Sequence, residues 1–387
     1  LEEVVKEMLD LLYEKTITKK KHVKHFFKDI KSNIDYKQVE KSFTKYEFSK
    51  EKQDKILAAV DGSFNKKKYM ACFVYAISSQ TIISKPGEKI IKESSAGDIT
   101  TKTHSNVKSI DSILSMYMNI LELKSTLDTL ERYPEIDYML MDGSIRGTLM
   151  HFPTYTVDSY ITNKLKPVAK KIESKLKEGN FPLEVCAVSN RDEILSYLKK
   201  DMNKYNLEIE YDEDTTLRYI ESLEQLTCIK VLLENFKEKL VCVSKTSGTN
   251  SLYKNNIPDA AVIEYTINES GYTNPDTSEH NSLLRKINGE IKKINYPLYN
   301  DELKSYNYTL FFTKLTKEGN VLKIELPQPN LDRKKIEGIL EDLYSASING
   351  YPYILKKAHD EVVIKEKNMK HIIEYMDIFE KTGRDML

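Results

Sequence analysis

The chain contains one short phrase twice, and each copy presents a carboxylate. The two copies are LAAVDGSF, which contains Asp61, and MLMDGSIR, which contains Asp142. Each apolar run predicts a buried strand and each Asp-Gly-Ser predicts a turn, so both aspartates are expected at strand tips. A helix-length amphipathic segment between them favours adjacent parallel strands. Two carboxylates at one sheet edge repel each other unless a divalent cation lies between them, so the pattern predicts a metal-dependent, phosphate-handling enzyme.

A third metal ligand is expected on the helix between the two phrases. Hydrolysis of a phosphodiester by two metal ions about 4 Å apart needs oxygen ligands from several separate elements. Glu122 is the candidate for this position. Its neighbours on one helical face, Ser115, Met118 and Ser125, are small or flexible and allow that face to approach the sheet edge. Periodicity on its own favours an ordinary exposed glutamate here.

The order of the elements places these residues. Three strands are predicted first, at 55–63, 69–79 and 87–96. A helix follows at 109–132, and a fourth strand at 136–144. The Asn-Lys-Lys-Lys sequence at 65–68 predicts the turn between the first two strands. Because a helical crossover normally returns to a parallel neighbour, the fourth strand is expected beside the first, with Asp61 next to Asp142. This order predicts an α/β fold with an RNase H-like mixed sheet flanked by helices.

The second half of the chain predicts a helical insertion and additional C-terminal helices. Residues 155–240 are mostly helical in pattern, interrupted by a short strand LEVCAVSN, and are expected to surround the sheet as an insertion. The run LVCVSKTSG predicts a buried strand that ends near Lys245, and YNYTLFFTKL with NVLKIELP predicts a hairpin. Asn349-Gly350 predicts a helix stop, after which Tyr351-Pro352 opens a helix that carries His359.

Lys245, Tyr351 and His359 are the remaining candidates for chemistry. Lys245 is placed to approach a phosphate, and a neutral imidazole such as that of His359 can bind a metal ion or move a proton. Each residue also has an ordinary structural interpretation: a solvated strand end for Lys245, core packing for Tyr351, and a packed or surface side chain for His359. The residues alone leave both interpretations open.

Composition restricts the class of protein. Lys plus Arg and Asp plus Glu both number 59, so net charge does not indicate a nucleic-acid partner, and any basic surface must be local. The four cysteines form no CxxC and no Cys/His cluster. Three of them, Cys72, Cys186 and Cys242, lie in apolar runs, which predicts buried free thiols in a reducing compartment. Residues 1–15 lack the architecture of a signal peptide, and no apolar run approaches the ~20 residues that cross a bilayer. These features predict a soluble cytoplasmic protein.

A set of short motifs in a fixed order gives a more specific indication. The set is VDGS, the helix glutamate, LMDGS, VSKTS, the FFTKL…VLKIELP hairpin and the terminal GYPYILKKAHDEVVI. In order and spacing it resembles the NurA nuclease family, from about residue 55 to about residue 365. Ile145 stands where that family tends to have Leu, which leaves the chemistry untouched. The domain division we predict is a helical arm over 1–50 and a NurA nuclease domain over 51–387.

The resemblance implies a function and roles for individual residues. It implies Mn²⁺-dependent cleavage of DNA, with Mg²⁺ as a second possible ion: 5′-to-3′ exonuclease activity on single- and double-stranded DNA and endonuclease activity on single strands. It implies a homodimer that acts with HerA, a hexameric DNA-translocating ATPase, in the resection of double-strand breaks. The implied metal ligands are Asp61, Glu122, Asp142 and His359. The further implied catalytic residues are Lys245 and Tyr351, and the implied DNA contacts are Ser63, Ser144, Arg146 and Lys245.

Two other classes of function stay open. Actin-like kinases and ATPases also open with a strand that ends in Asp-Gly-Ser, but they need further Gly-rich phosphate loops. This chain has 13 glycines, and no two are adjacent. A non-catalytic RNase H-like scaffold for a DNA translocase would lack one or more of the three acidic residues, and all three are present here.

Overall fold

The structure, a computed structural model, describes residues 2–103, 110–204, 212–276, 284–287 and 290–378. Its helices are α1 Glu2–Ser32, α2 Tyr36–Ser42, α3 Ile110–Arg132, α4 Ile145–Met150, α5 Ser159–Lys177, α6 Cys186–Ser189, α7 Arg191–Lys204, α8 Glu213–Phe236, α9 Asp259–Thr266, α10 Asn300–Ser305, α11 Arg333–Ser345, α12 Tyr353–Val362 and α13 Glu366–Tyr375. Its strands are β1 Phe43–Lys45, β2 Leu57–Lys68, β3 Cys72–Ser84, β4 Ile91–Thr103, β5 Tyr138–Asp142, β6 Leu240–Ser244, β7 Gly271–Thr273, β8 Leu284–Ile287, β9 Glu290–Lys293, β10 Thr309–Lys314, β11 Leu322–Leu326, β12 Ser347–Ile348 and β13 Tyr351–Pro352.

A nine-stranded mixed sheet forms the centre of the fold, in the order β1-β7-β10-β11-β6-β5-β2-β3-β4. Strand β5 pairs in parallel with β2, so that Val60 lies opposite Met141. Strand β6 pairs in parallel with the other side of β5, where Asp142 lies opposite Val243. The predicted parallel pairing of the fourth strand with the first is therefore confirmed. The predicted hairpin between β10 and β11 is confirmed as well.

Helices cover both faces of the sheet. Ala58 and Val60 of β2 belong to a buried cluster with residues of α3 and α8. Leu57 and Ala59, which point to the other face, belong to a cluster with residues of α11 and α12. Burial on both faces explains why this strand is a continuous apolar run rather than an alternating one. Elements from both faces can therefore reach the end of the same strands.

Strand β2 is longer than predicted. It continues through Asp61 to Lys68, and β3 pairs with it along this whole length, with Asp61 opposite Gln80. The turn predicted at 65–68 is therefore wrong. The pairing of β2 with β5 ends at Val60. The strand continues beyond this point because β3 still supplies hydrogen-bond partners for its backbone.

The helical character of residues 155–240 is confirmed for α5, α7 and α8, but the strand predicted in LEVCAVSN is wrong. Cys186–Ser189 forms the short helix α6. The backbone N–H groups of Cys186 and Ala187 each donate to the Glu224 carboxylate at 2.9 Å. This carboxylate lies 2.8 Å from the Lys124 ammonium, and both side chains are fully buried. A distant side chain therefore satisfies the N–H groups that open this helix, which the local apolar pattern could not reveal.

Asn349-Gly350 forms a hairpin turn rather than a helix stop. Helix α11 already ends at Ser345, and Ser347–Ile348 pairs with Tyr351–Pro352 across the two-residue turn. Asn349 has φ 53° and Gly350 has φ 74°. Two successive positive φ values suit Asn-Gly, which is the preferred pair for such a turn. Pro352 is the N-cap of α12, so the predicted start of the C-terminal helix is confirmed.

The N-terminal region is helical as predicted through α1 and α2, but residues 43–45 form an edge strand that pairs with β7. These three residues therefore pair with the sheet instead of continuing the helices, while the division into an arm over 1–50 and a domain over 51–387 stays a prediction. The four cysteines are free, as predicted. The predicted burial is confirmed for Cys242 but is wrong for Cys72 and Cys186, which are half-buried, and Cys228 is buried as well. Among the described residues, no helix is both long enough and apolar enough to span a bilayer.

A candidate metal centre at the ends of the parallel strands

The two aspartates occupy neighbouring positions at the end of the parallel ladder. Asp61 is the first residue of β2 beyond its pairing with β5, and Asp142 is the last residue of β5. Asp61 is buried, whereas the Asp142 side chain keeps 27% of its surface exposed. The predicted pairing of the two phrases is therefore confirmed, although Asp61 lies within a strand rather than at its tip.

Glu122 reaches the same place from α3, because Gly62 permits a close approach. A Cβ atom at position 62 would lie 2.5 Å from Met118 Cγ and 2.7 Å from Glu122 Oε1. Both distances are shorter than real Cβ contacts, so with any larger residue here the Met118 and Glu122 side chains would have to move. The glycine that follows Asp61 thus has a packing role, which is to admit the third carboxylate.

The three carboxylates influence one another electrostatically. Burial raises the pKa of Glu122 to about 8, and the negative charges of Asp61 and Asp142 contribute to this rise. Burial also raises the pKa of Asp61, against the opposing effect of its bond to His359. Three neighbouring carboxylates that are costly to ionise together form a donor set that suits a hard divalent cation such as Mn²⁺ or Mg²⁺.

Two basic residues bond the aspartates directly. His359, on α12, places its Nδ1 atom 2.8 Å from Asp61 Oδ2. Lys245, which follows β6, places its ammonium 2.9 Å from Asp142 Oδ2. The structure therefore brings both residues to the carboxylates, Lys245 from the third parallel strand and His359 from the face opposite α3.

Tyr351 lies beside Lys245, with the ammonium 4.8 Å from the centre of the ring. Burial lowers the pKa of Lys245, but the Tyr351 hydroxyl and the Asp142 carboxylate outweigh burial and raise it. Burial raises the pKa of Tyr351 to about 12. Lys245 is therefore a permanent cation and Tyr351 a neutral phenol at neutral pH. All six residues predicted to be catalytic meet at one end of the sheet.

The carboxylate oxygens are engaged by these basic groups. Within the described ranges, no three His, Cys, Asp or Glu side chains are already arranged as a ligand cluster for a metal. A cation that bound Asp61 and Asp142 would compete with His359 and Lys245 for their oxygens. The residues that would hold it are Asp61, Glu122 and Asp142, with His359 bonded to the first of them.

Three of the predicted DNA contacts, Ser63, Ser144 and Lys245, make internal hydrogen bonds through their side chains. Ser63 Oγ accepts from the backbone N–H of Ile364 at 3.1 Å. Ser144 is the N-cap of α4, where its Oγ accepts from the Gly147 N–H at 2.7 Å. The Arg146 guanidinium has a buried Nε atom without a hydrogen-bond partner in the described part of the chain. Contact of these residues with DNA stays a prediction.

Glu325 is a site residue that sequence reasoning missed. It lies on β11 with 1% of its surface exposed, and burial raises its pKa. Its carboxylate accepts hydrogen bonds from the Ser144 hydroxyl and, at 2.8 Å, from the Arg146 N–H. Glu325 therefore fixes the loop that follows Asp142. A single acidic residue inside the otherwise buried end of LKIEL was the signal that could have identified it.

A cavity of about 600 Å³ opens beside the three carboxylates on the α3 side of the sheet. Its walls include Asp61, Glu122 and Asp142 at one end, and Arg218 of α8 also lines it. Asn119 and Gln225 connect its two helical walls through a 2.8 Å hydrogen bond, and Asn119 bonds Glu122 at 3.3 Å. A substrate can therefore approach the carboxylates along this cavity.

The fold and the site together define a class of protein: a mixed α/β protein with a cluster of carboxylates where two parallel strands stop pairing. Comparison with known proteins identifies the family within this class. The NurA domain matches residues 55–364, which is most of the chain. The protein belongs to the NurA family.

Individual relatives match along nearly the whole chain. A protein of Methanocaldococcus jannaschii described as a probable DNA double-strand break repair nuclease NurA is 29% identical, over 92% of this chain and 87% of its own length. The DNA double-strand break repair nuclease NurA of Sulfurisphaera tokodaii is 24% identical, over 97% of each chain.

Solved structures of the family share the fold. The crystal structure of the NurA nuclease from Sulfolobus solfataricus covers 94% of this chain and 95% of its own, with a TM-score of 0.68 at 20% identity. A crystal structure of NurA bound to dAMP and manganese covers 100% of this chain and 98% of its own, with a TM-score of 0.63 at 17% identity.

Proposed function

We propose that this protein is a metal-dependent DNA nuclease that hydrolyses phosphodiester bonds in the repair of double-strand breaks, with Mn²⁺ as its ion. The observation that carries the proposal is the convergence of Asp61, Glu122 and Asp142 with Lys245 and His359 at one end of the sheet. The names of the relatives from M. jannaschii and S. tokodaii support DNA as the substrate. The manganese and dAMP bound to another NurA support the ion and the kind of product.

Each residue of the site has a proposed task. Asp61, Glu122 and Asp142 hold the ion, which supplies Lewis-acid stabilisation of the charge on the phosphate when bound. The Lys245 ammonium donates to a non-bridging oxygen of the scissile phosphate, where negative charge grows in the transition state. With Nδ1 of His359 donating to Asp61, its Nε2 is left to accept a proton from the attacking water or to pass one to the leaving oxygen. The His359 side chain is 52% exposed, so it can exchange that proton with solvent.

The type of core and the details of cleavage are inferred from the resemblance to the NurA family. We infer an RNase H-type core, which is supported by the order of three antiparallel strands, a helix and a parallel fourth strand. We also infer 5′-to-3′ exonuclease activity on single- and double-stranded DNA and endonuclease activity on single strands. Cleavage of end-labelled and circular single-stranded DNA separates these activities, because only an endonuclease cuts a circle. A chain that degraded DNA only from 3′ ends would contradict the inferred polarity.

We further propose a homodimer that acts with a HerA-type hexameric ATPase. A chain with zero net charge is poorly equipped to hold duplex DNA alone, because affinity grows with the number of phosphates neutralised. Two copies facing a shared channel would concentrate their lysines on the DNA. Light scattering should give the mass of a dimer, and the ATPase should co-purify with the protein. A stable monomer with no co-purifying ATPase would contradict both parts of the proposal.

Removal of one ligand charge tests the nuclease proposal. Asp61→Asn and Asp142→Asn should each lower the rate of DNA cleavage in Mn²⁺ by at least about a hundredfold, because each removes a carboxylate that stabilises charge at the reacting phosphate. The matched control is Asp137→Asn. Asp137 immediately precedes β5 at its opposite end and bonds the Ile56 N–H at 2.9 Å and Lys55 at 3.1 Å. This variant should cleave DNA at the wild-type rate.

The outcome also separates the nuclease from a non-catalytic scaffold. If the wild-type protein binds DNA but does not cut it in Mn²⁺ or Mg²⁺, the scaffold interpretation replaces the nuclease. If either site variant keeps a near-normal rate of cleavage, the carboxylates are not the metal ligands.

A further inference from the structure

The cavity beside the carboxylates extends well beyond them. Its wall on α3 runs from Ser112 to Leu123, which corresponds to about 16 Å along the helix axis. Glu122 lies at one end of this wall. A volume of about 600 Å³ is within the range of pockets that enclose organic ligands, so the cavity is larger than a metal ion and its waters require.

Arg218, on α8, lines this cavity with an incompletely bonded guanidinium. Only 9% of the residue is exposed. Its Nη2 atom lies 3.3 Å from Asp214 Oδ2, while Nη1 is buried and has no hydrogen-bond partner in the described ranges. A buried donor without an acceptor costs free energy, and a guanidinium is well suited to two oxygens of a phosphate. The unmade bond therefore suits an acceptor supplied by a ligand.

The charges around Arg218 favour an anionic ligand. Asp214 also pairs with Lys102, whose Nζ atom lies 3.4 Å from Asp214 Oδ1. Glu221 bonds the Tyr117 hydroxyl at 2.5 Å, and burial raises its pKa to about 7. Burial thus disfavours a full negative charge on Glu221, one of the two carboxyl groups that lie near Arg218 and Lys102.

The distance from Arg218 to the carboxylates matches a short length of DNA. Gln225 marks the carboxylate end of α8 through its bond to Asn119, which in turn bonds Glu122. Arg218 precedes Gln225 by two turns, or about 10 Å along the axis. At about 3.4 Å per nucleotide of a B-form strand, this distance is about three nucleotides, and fewer if the strand is extended.

We propose that Arg218 binds a backbone phosphate of the DNA strand being cut, within about three nucleotides of the scissile phosphate. This inference rests on the proposed nuclease function and adds the path of the substrate strand to it. Arg218 would then hold the strand in register with the carboxylates, so that the length and the phosphate content of a short substrate affect its cleavage.

Binding of labelled single-stranded DNA tests the contact. Fluorescence anisotropy in Ca²⁺, with intact DNA verified on a gel, should show that Arg218→Gln weakens binding by about tenfold or more. The logarithm of the binding constant decreases with the logarithm of the salt concentration, and in Arg218→Gln this slope should be shallower by about 0.7, the value for one phosphate contact on a single strand. Arg218→Lys should recover part of both the affinity and the slope, because it restores the charge without the fork of donors.

Neutral linkages locate the contact. A series of oligonucleotides, each with one methylphosphonate in place of a phosphate, should include one position near the cut at which wild-type affinity falls about tenfold. Arg218→Gln should lose no further affinity at that position. If every position affects the two proteins equally, the proposed contact does not exist.

Glu221→Gln is the matched control for a purely structural role of Arg218. It removes a buried carboxyl that feels the charges of Lys102 and Arg218, and it keeps an acceptor for the Tyr117 hydroxyl. It should bind DNA at least as tightly as the wild type. If Arg218→Gln lowers the melting temperature but leaves affinity and salt slope unchanged, Arg218 is only a structural partner of Asp214, and the inference is wrong.

The two levels of proposal fail differently. A wild-type protein that neither binds nor cuts DNA refutes the nuclease itself. A protein that cuts DNA, with Arg218→Gln equal to wild type in affinity, slope and cleavage of short substrates, refutes only the role of Arg218. If Arg218→Gln does not fold, the linkage series on wild type decides, and a series with no position near the cut at which affinity falls about tenfold would overturn the inference.

Discussion

Replacement of Glu122 by Gln gives a sharp test of the site, because it changes stability and metal response in opposite directions. The substitution keeps the shape of the side chain and the contact with Asn119, whose amide lies 3.3 Å from Glu122 Oε2. It removes a carboxyl that is expensive to ionise in the folded protein. We expect Glu122→Gln to stabilise the metal-free protein and to weaken its stabilisation by Mn²⁺.

The magnitude follows from the pKa of Glu122, which burial and the nearby aspartates raise from 4.5 to about 8. Between these values the folded protein holds a proton that the unfolded chain has released. The contribution of this group to stability is therefore fully present below pH 4.5 and is lost as pH rises through about 8. The full difference between the two pKa values corresponds to about 5 kcal/mol in the free energy of unfolding. At about 2.1 cal/mol/K of unfolding entropy per residue, this is about 6 °C in the melting temperature of a 387-residue chain.

Thermal unfolding from pH 5 to pH 9 in EDTA and in Mn²⁺ measures both effects. In EDTA the melting temperature of the variant should exceed that of the wild type by nearly zero at pH 5 and by about 6 °C at pH 9. Mn²⁺ at 100 times its dissociation constant should stabilise the wild type by about 2.7 kcal/mol, and should stabilise the variant less because it has lost a ligand.

Glu221→Gln provides the control for burial without metal binding. Burial raises the pKa of Glu221 to about 7, so its replacement should also stabilise the protein in EDTA as pH rises, over a narrower range. It should keep the full response to Mn²⁺. A difference between Glu122→Gln and wild type that stays constant from pH 5 to pH 9 would refute the reasoning, because Glu122 would then not hold a proton in the folded state.

Three further predictions test the surroundings of the site. Gly62→Ala should cost about 1–3 kcal/mol in urea unfolding and should slow DNA cleavage, because the added Cβ meets the Met118 and Glu122 side chains. Gly248→Ala, whose Cβ meets nothing within 4 Å in the described residues, should change neither. Glu325→Ala should lower the free energy of unfolding by about 1–3 kcal/mol, because a hydroxyl and a backbone N–H lose their acceptor; an unchanged midpoint would show that solvent replaces it. His359→Ala should slow cleavage by about a hundredfold or more while affinity for DNA in Ca²⁺ stays unchanged, and full activity would return His359 to a packing role.

The pairing of the two aspartates could be predicted because it depends on rules that act along the chain. Each Asp-Gly-Ser follows a buried run, and a strand that returns through a helical crossover normally runs parallel to its new neighbour. Asp61 and Asp142 therefore had to come to one end of the sheet once the order of elements was right. The same rule placed Lys245, since its strand also runs parallel to β5.

The remaining features depend on contacts between residues far apart in the sequence, which periodicity does not contain. Strand β2 continues past Asp61 because β3 pairs with it, and α6 forms because Glu224 accepts its first N–H groups. Glu325 and Arg218 were missed for the same reason. Each looks like an ordinary charged residue in its segment, and only the packing of β11 against the Asp142 loop, or of α8 along the cavity, gives it a role.

One feature of the sheet accounts for the whole arrangement of the site. Strand β5 stops at Asp142 while β2 continues, so that among the described residues no strand pairs with β2 on that side beyond Val60. The opening leaves room for Glu122 from one face and His359 from the other, and it is bordered by the carboxylates at the end of the parallel ladder. Parallel strands need long crossover connections, and helices from these connections cover the faces of the sheet. The connection that makes Asp61 and Asp142 neighbours is therefore the same segment, α3, that supplies the third carboxylate and the wall of the cavity.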